Sequence, residues 1–214
     1  MSIKRQRGLT IIELVLFMVI MGVAAAGIIG VLNLGTKASA DPLRRKQALL
    51  IAEAYMEEIQ LARFTFCVPG DPKESDAKSQ ADCGKAVAVG VRPAGMKRPY
   101  ANVADYATAF DDDQPTFAVD GVDRDVNDRA LGQDRNGKTM GNAALSGITT
   151  TVALSLLSAP TDLLGPADGP AVLKIQSSVN SLEALRITVT TRYGSGDNEV
   201  VRLDGYRTRY APND

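Results

Sequence analysis

Between Leu14 and Thr36 the chain carries no charged side chain. That run of 23 residues exceeds the roughly 20 that a helix needs to cross the hydrocarbon of a bilayer. Lys4, Arg5 and Arg7 stand immediately before it. By the positive-inside rule the first residues stay cytoplasmic and the rest of the chain is carried across. A secretory signal peptide has a shorter apolar core, followed by a small-x-small cleavage site. Here the small residue at a polar–apolar boundary is Gly8, ahead of the run, which is the wrong order for such cleavage. One carboxylate, Glu13, lies at the start of the apolar stretch. An ionised carboxylate in mid-bilayer costs roughly 2.5–3.5 kcal/mol, so Glu13 demands an opposite charge.

Composition narrows the chemistry. The 214 residues suffice for one membrane anchor and one modest domain beyond it. A net charge of −1 argues against nucleic acid as a partner. With no histidine, Ser-His-Asp and Cys-His catalysis and histidine metal sites are excluded. Ser195, in GSGDN, belongs to a turn and lacks the G-x-S-x-G frame of a nucleophile elbow. Neither a phosphate loop nor a dinucleotide fingerprint is present. The sequence predicts no enzyme.

The stretch KRQRG followed by LTIIELV resembles the signal of type IV prepilins. The resemblance implies that a prepilin peptidase cleaves after Gly8 and methylates the new amine of Leu9. Glu13 then stands at the fifth mature position, where the family carries a glutamate that meets the N-terminal amine of a neighbouring subunit during assembly. That role answers the demand for an opposite charge. Leu9 replaces the family's usual phenylalanine. Loss of Lys4, Arg5 and Arg7 takes the formal charge from −1 to −4. MEEIQLARFTFC, NVADYATAF and ALRITVTTRYGSGDNEVVRLDGYRTRYAP further resemble D-type minor pilins of mannose-sensitive-haemagglutinin pilus systems. The implied partners are prepilin peptidase, other major and minor pilins, and an inner-membrane assembly platform. The implied location is a single pass in the inner membrane with a periplasmic domain, then an extracellular pilus. Minor pseudopilins of type II secretion systems share the leader and are the nearest alternative. A membrane-anchored binding domain that never polymerises is the remote one.

Downstream, Asp41-Pro42 reads as a helix-start pair, N-cap and first position, or as a kink within one helix. Leu49, Ala52, Met56, Ile59 and Ala62 recur at helical spacing and predict an amphipathic helix. Residues 69–147 are polar and rich in glycine, proline and aspartate, with Tyr100, Tyr106 and Phe110 predicted to face inward. Strands are predicted over 148–156, 184–193 and 199–203, the last two joined by GSGDN as a hairpin, with 206–210 extending or following it. The expected fold is therefore α+β and pilin-like: a long N-terminal helix packed on an antiparallel β-sheet, with a long polar loop region. The expected divisions are a leader at 1–8, a transmembrane and assembly helix at 9–36, an amphipathic helix at 37–66 and an exported domain at 67–214.

Cys67 and Cys83 are too far apart for a C-x-x-C site. On the far side of a membrane they form one disulfide, stabilising by about 3 kcal/mol through loop closure. In a cytosolic protein they would be two thiols. Asp123, Asp125 and Asn127 match the first three positions of a calcium loop, with Asp134 at the twelfth. The sixth position holds Asp128 where glycine is required. A solvated acidic loop is the plainer reading, and no cofactor is otherwise implied.

Overall fold

The computed structural model describes residues 10–90, 95–140, 145, 147–157 and 175–209, with backbone alone over 31–41. Its first element, α1, runs Ile11–Leu61. Contacts divide the chain into two compact units, Met1–Leu43 and Arg44–Asp214. The helix does not restart at Asp41–Pro42; Pro42 lies inside α1. A proline removes one backbone hydrogen bond, here to residue 38. The turns on either side keep theirs, and the element continues.

From Arg44 onward α1 is built largely of strong helix formers, Ala, Leu, Glu, Gln, Lys and Arg. Its core face is Ala48, Ala52, Tyr55, Met56 and Ile59, continued by Ala62 just past the helix end. Leu49, expected on that face, is 37% exposed. It stands about 100° from Ala48 around the helix, which turns it off the core stripe. Small alanines at 48 and 52 bring the backbone close to what it covers, and Tyr55 and Ile59 fill the space between.

The core partner is a sheet. Among the described residues, β1 (Ala118–Val119) and β2 (Val122–Asp123) form a small hairpin. The main sheet is β3 (Thr149–Leu156), β4 (Ala184–Arg192) and β5 (Val200–Thr208), antiparallel in that order. Alternation buries Leu185, Ile187 and Val189, with Val152 and Leu154 beside them. Thr150 and Thr191 continue the inward row, their hydroxyls 3.0 Å apart. Gly205 pairs with Ile187 on β5, and a Cβ there would lie 2.9 Å from Met56 Sδ. A bare backbone at Gly205 lets α1 settle onto the sheet. The architecture is α+β, an N-terminal helix with antiparallel sheet, and pilin-like.

The polar stretch between helix and sheet holds two short 3₁₀ turns, Gln80–Asp82 and Val103–Tyr106. Tyr100 and Tyr106 are buried, and Phe110 packs partly buried against them. A buried ion pair organises this region. Arg98 donates Nε to Glu58 Oε1 at 2.9 Å and Nη2 to Oε2 at 2.6 Å. Its Nη1 donates to the carbonyl of Arg124 at 2.8 Å and, more weakly, to that of Phe117 at 3.4 Å. The guanidinium lies over the Phe117 ring, itself stacked on Tyr55. The Tyr106 hydroxyl donates to Glu58 Oε1 at 3.0 Å. Burial opposes the charge on Arg98, but its hydrogen bonds and attraction to Glu58 prevail and hold its pKa above the ordinary value. Removing one partner strands the other charge in the core. Glu58→Gln is expected to cost about 3 kcal/mol, read as a lowered thermal midpoint. An unchanged midpoint would show that the pair does not hold the loop.

Candidate functional site

The N-terminal end of α1 is positioned by a cap. Thr10 precedes the helix, its carbonyl accepting from the Leu14 N–H at 3.1 Å and its hydroxyl from the Glu13 N–H at 3.4 Å. Thr10-x-x-Glu13 has the capping-box spacing. Glu13 lies in the first turn, where the helix dipole favours a negative charge. This is a second use for the carboxylate, beside the one implied by its sequence context. Its signal was the T-x-x-E spacing itself. Gly8 and Leu9 lie outside the described residues.

From Ile11 to Gly30 the helix is apolar over 20 residues, long enough to cross a membrane, and none of those residues is buried. Ile11 is 85% exposed, and Phe17, Met18 and Val19 are each more than half exposed. A row of this kind is stable only against hydrocarbon or other apolar helices.

In the second unit the two cysteines meet. Cys67 and Cys83 are disulfide-bonded, 16 residues apart in sequence. Cys67 is fully buried with Phe66 and Ala77 in a satellite cluster. Among the described residues no cysteine is free.

The acidic stretch is arranged differently from a calcium loop. Asp125 accepts from the N–H groups of Asn127 and Arg129 and from the Arg129 guanidinium, all within 3.0 Å. Burial pushes its pKa up, but those bonds prevail and hold it below the usual carboxylate range. Asp134 accepts from the N–H groups of Asn136 and Lys138. Asn127 and Asp128 are exposed. Asp123 points into the fold on β2 and is 2% exposed. The carboxylates of Asp125 and Asp134 cap turns of their own backbone. Among the described residues no group of three His, Cys, Asp or Glu side chains is placed to hold a metal ion.

Residues 3–29 match the prokaryotic N-terminal methylation motif. The N-terminus is thus a type IV pilin-like prepilin signal, of the kind that pilins and pseudopilins carry, and with the apolar helix it fits a membrane-anchored protein. The motif implies processing by prepilin peptidase. No curated protein and no solved structure matches the chain.

Asp123 is a buried, strongly shifted carboxyl of the second unit. Neither of its oxygens finds a partner at ordinary hydrogen-bond geometry. Burial raises its pKa to about 6, against the pull of the nearby Thr150 hydroxyl and amide and of Arg98. A carboxyl with a raised folded pKa stabilises the fold fully below its unfolded value, about 3.9. That contribution is lost as pH rises through 6. Asp123→Asn is therefore expected to raise the thermal midpoint at pH 7 and to leave it nearly unchanged at pH 4. A loss of equal size at both pH values would mean that the carboxylate is held by bonds the amide cannot replace.

Proposed function

We propose that the chain is a minor type IV pilin, a structural component with no catalytic role. Prepilin peptidase cleaves between Gly8 and Leu9 and methylates the amine of Leu9. The protein waits in the inner membrane with its second unit in the periplasm. It then joins other pilins through the apolar part of α1, on an inner-membrane assembly platform, to start or to tip an extracellular filament. The observation that carries this reading is the match over residues 3–29, which overlaps a helix whose residues Ile11–Gly30 are all exposed in a single chain. In lipid such helices associate by close van der Waals packing, and once out of the bilayer only other apolar helices can keep their surface from water.

Glu13 supplies register in this scheme. Cleavage at Leu9 leaves an amine four residues away in sequence, and in a filament the amine of a neighbour pairs with the carboxylate. Unpaired in an apolar bundle, the carboxylate is penalised. Docked beside the amine, it is satisfied. Intact mass and N-terminal sequencing, with and without a prepilin peptidase, test the class. A start at Leu9 bearing one added methyl, seen only with the peptidase, is the expected result. Gly8→Val should abolish that product. An unprocessed start in both cases would leave the segment a plain membrane anchor. Glu13→Ala should leave cleavage intact and lower incorporation into filaments.

A further inference from the structure

The two edges of the main sheet are treated differently. At the β3 edge Gln114 and Val152 exchange both backbone hydrogen bonds at 2.9 Å, and the Asp111 N–H donates to the Leu154 carbonyl at 3.0 Å. That edge is covered. β5 pairs with β4 on one side, and among the described residues nothing pairs with its other side. The Tyr193 N–H donates to the Glu199 carbonyl and the Arg209 N–H to that of Glu183. These bonds set the β4 ladder on the odd-numbered residues of β5. The N–H and C=O groups of Val200, Arg202, Asp204, Tyr206 and Thr208 therefore point away from the sheet. β5 runs nine residues without a proline, and its register with β4 is unbroken. A bare edge of that length is a template for another strand.

Charges ordinarily guard such an edge by repelling a second strand. Here the exposed charges are Arg202 and Asp204, 3.8 Å apart, and the reversed strand is their complement. We propose that β5 pairs antiparallel with β5 of a second copy of this chain, about a twofold axis normal to the sheet at Leu203. Arg202 of each copy then stands opposite Asp204 of the other, closing a ring of alternating charge. Val200 meets Tyr206, a β-branched side chain against an aromatic one. On the partly buried face Leu203 meets Leu203, and Val201 meets Gly205, which has no side chain to crowd it. Each facing pair of outward residues exchanges two backbone hydrogen bonds. Moving the axis by one residue sets Arg202 against Arg202 or Asp204 against Asp204. Moving it by two leaves both charges opposite uncharged residues. Only the axis at Leu203 pairs them. A twofold contact reverses one copy against the other. It therefore joins copies that face each other from separate membranes or filaments and makes no demand on neighbours in one bilayer. It does not depend on the pilin reading.

The test is sedimentation of the full-length chain in detergent, where copies are free to turn, over a range of concentrations. A reversible dimer is expected. Arg202→Asp and Asp204→Arg each place like charges at both symmetry-related pairs. Either variant alone should raise the dimer Kd by up to about 25-fold, roughly fivefold for each exposed pair. Mixed together, the two variants should pair with each other as tightly as the original chain does with itself, which also shows that both are folded. Hydrogen exchange of the unaltered chain adds a backbone readout. On dimerisation the N–H groups of Arg202, Asp204 and Tyr206 should slow, while those of Leu203 and Arg207, already in the β4 ladder, should change little. A monomer at every concentration would overturn the pairing. So would a dimer indifferent to both substitutions, which would place the contact on the apolar helices. A mixture no tighter than its components would overturn the register.

Discussion

The packing of the Tyr106 turn and the β1–β2 hairpin onto α1 hangs on one buried ion pair. Glu58 comes from α1 and Arg98 from a stretch with almost no regular structure of its own. A loop of that kind has no ladder to tell it where to lie. The guanidinium supplies the address, because it satisfies a carboxylate and two backbone carbonyls at once while stacking on Phe117. Apolar residues of the same volume could match the stability of such a pair. They would not discriminate between nearby placements of the loop as five directional donors do. The Tyr55 hydroxyl, donating to the Arg124 carbonyl at 3.0 Å, and the Tyr106 hydroxyl complete the same network from helix and turn. Burial, together with the nearby acidic charge, raises the pKa of both tyrosines, so they serve as neutral donors.

The two units ask for different surroundings. Residues 44–209, where described, hide their large side chains in the ordinary way, with Ile59, Leu154 and Ile187 fully buried. The first unit, where described, does the opposite and shows its isoleucines, leucines and valines outward. Among the described residues none covers them, so their environment is supplied by lipid or by other helices. The cap at Thr10 and Glu13 lies at the end of this segment, where backbone N–H groups would otherwise be left without partners in an apolar medium. Local chemistry at the helix start thus serves the same need as the apolar run.

Periodic features were legible from sequence. β4 declared itself through the alternation of Leu185, Ile187 and Val189, and β5 through its mirror across GSGDN. The N-terminal signal was equally plain, because its information is packed into consecutive residues. Interactions that span the chain were not. Glu58 and Arg98 are 40 residues apart, and nothing local marks either as buried. Asp123 read as one more residue of an acidic loop, whereas the two-residue turn at Asp120 and Gly121 sends it inward on β2. Leu49 failed, and of the two readings left open at Pro42 the structure shows the one with the proline inside a single helix. Hydrophobicity favoured a core leucine at 49, and the phase of the helix turned it off the core stripe.

The disulfide has a mechanical meaning that its size conceals. Cys67 follows the end of α1 by only a few residues, so tension applied along the helix reaches the second unit just ahead of the bridge. Side contacts from Ala52, Met56 and Ile59, and the tie from Glu58, share that load first. If they give way, the chain would begin to lengthen through the segment beyond Phe66. The bridge withholds about 50 Å of contour length from that extension, the reach of the 16 residues it closes. A subunit drawn by its helix would lengthen less under force, and residues 68–82, enclosed by the bridge, would be shielded from the pull.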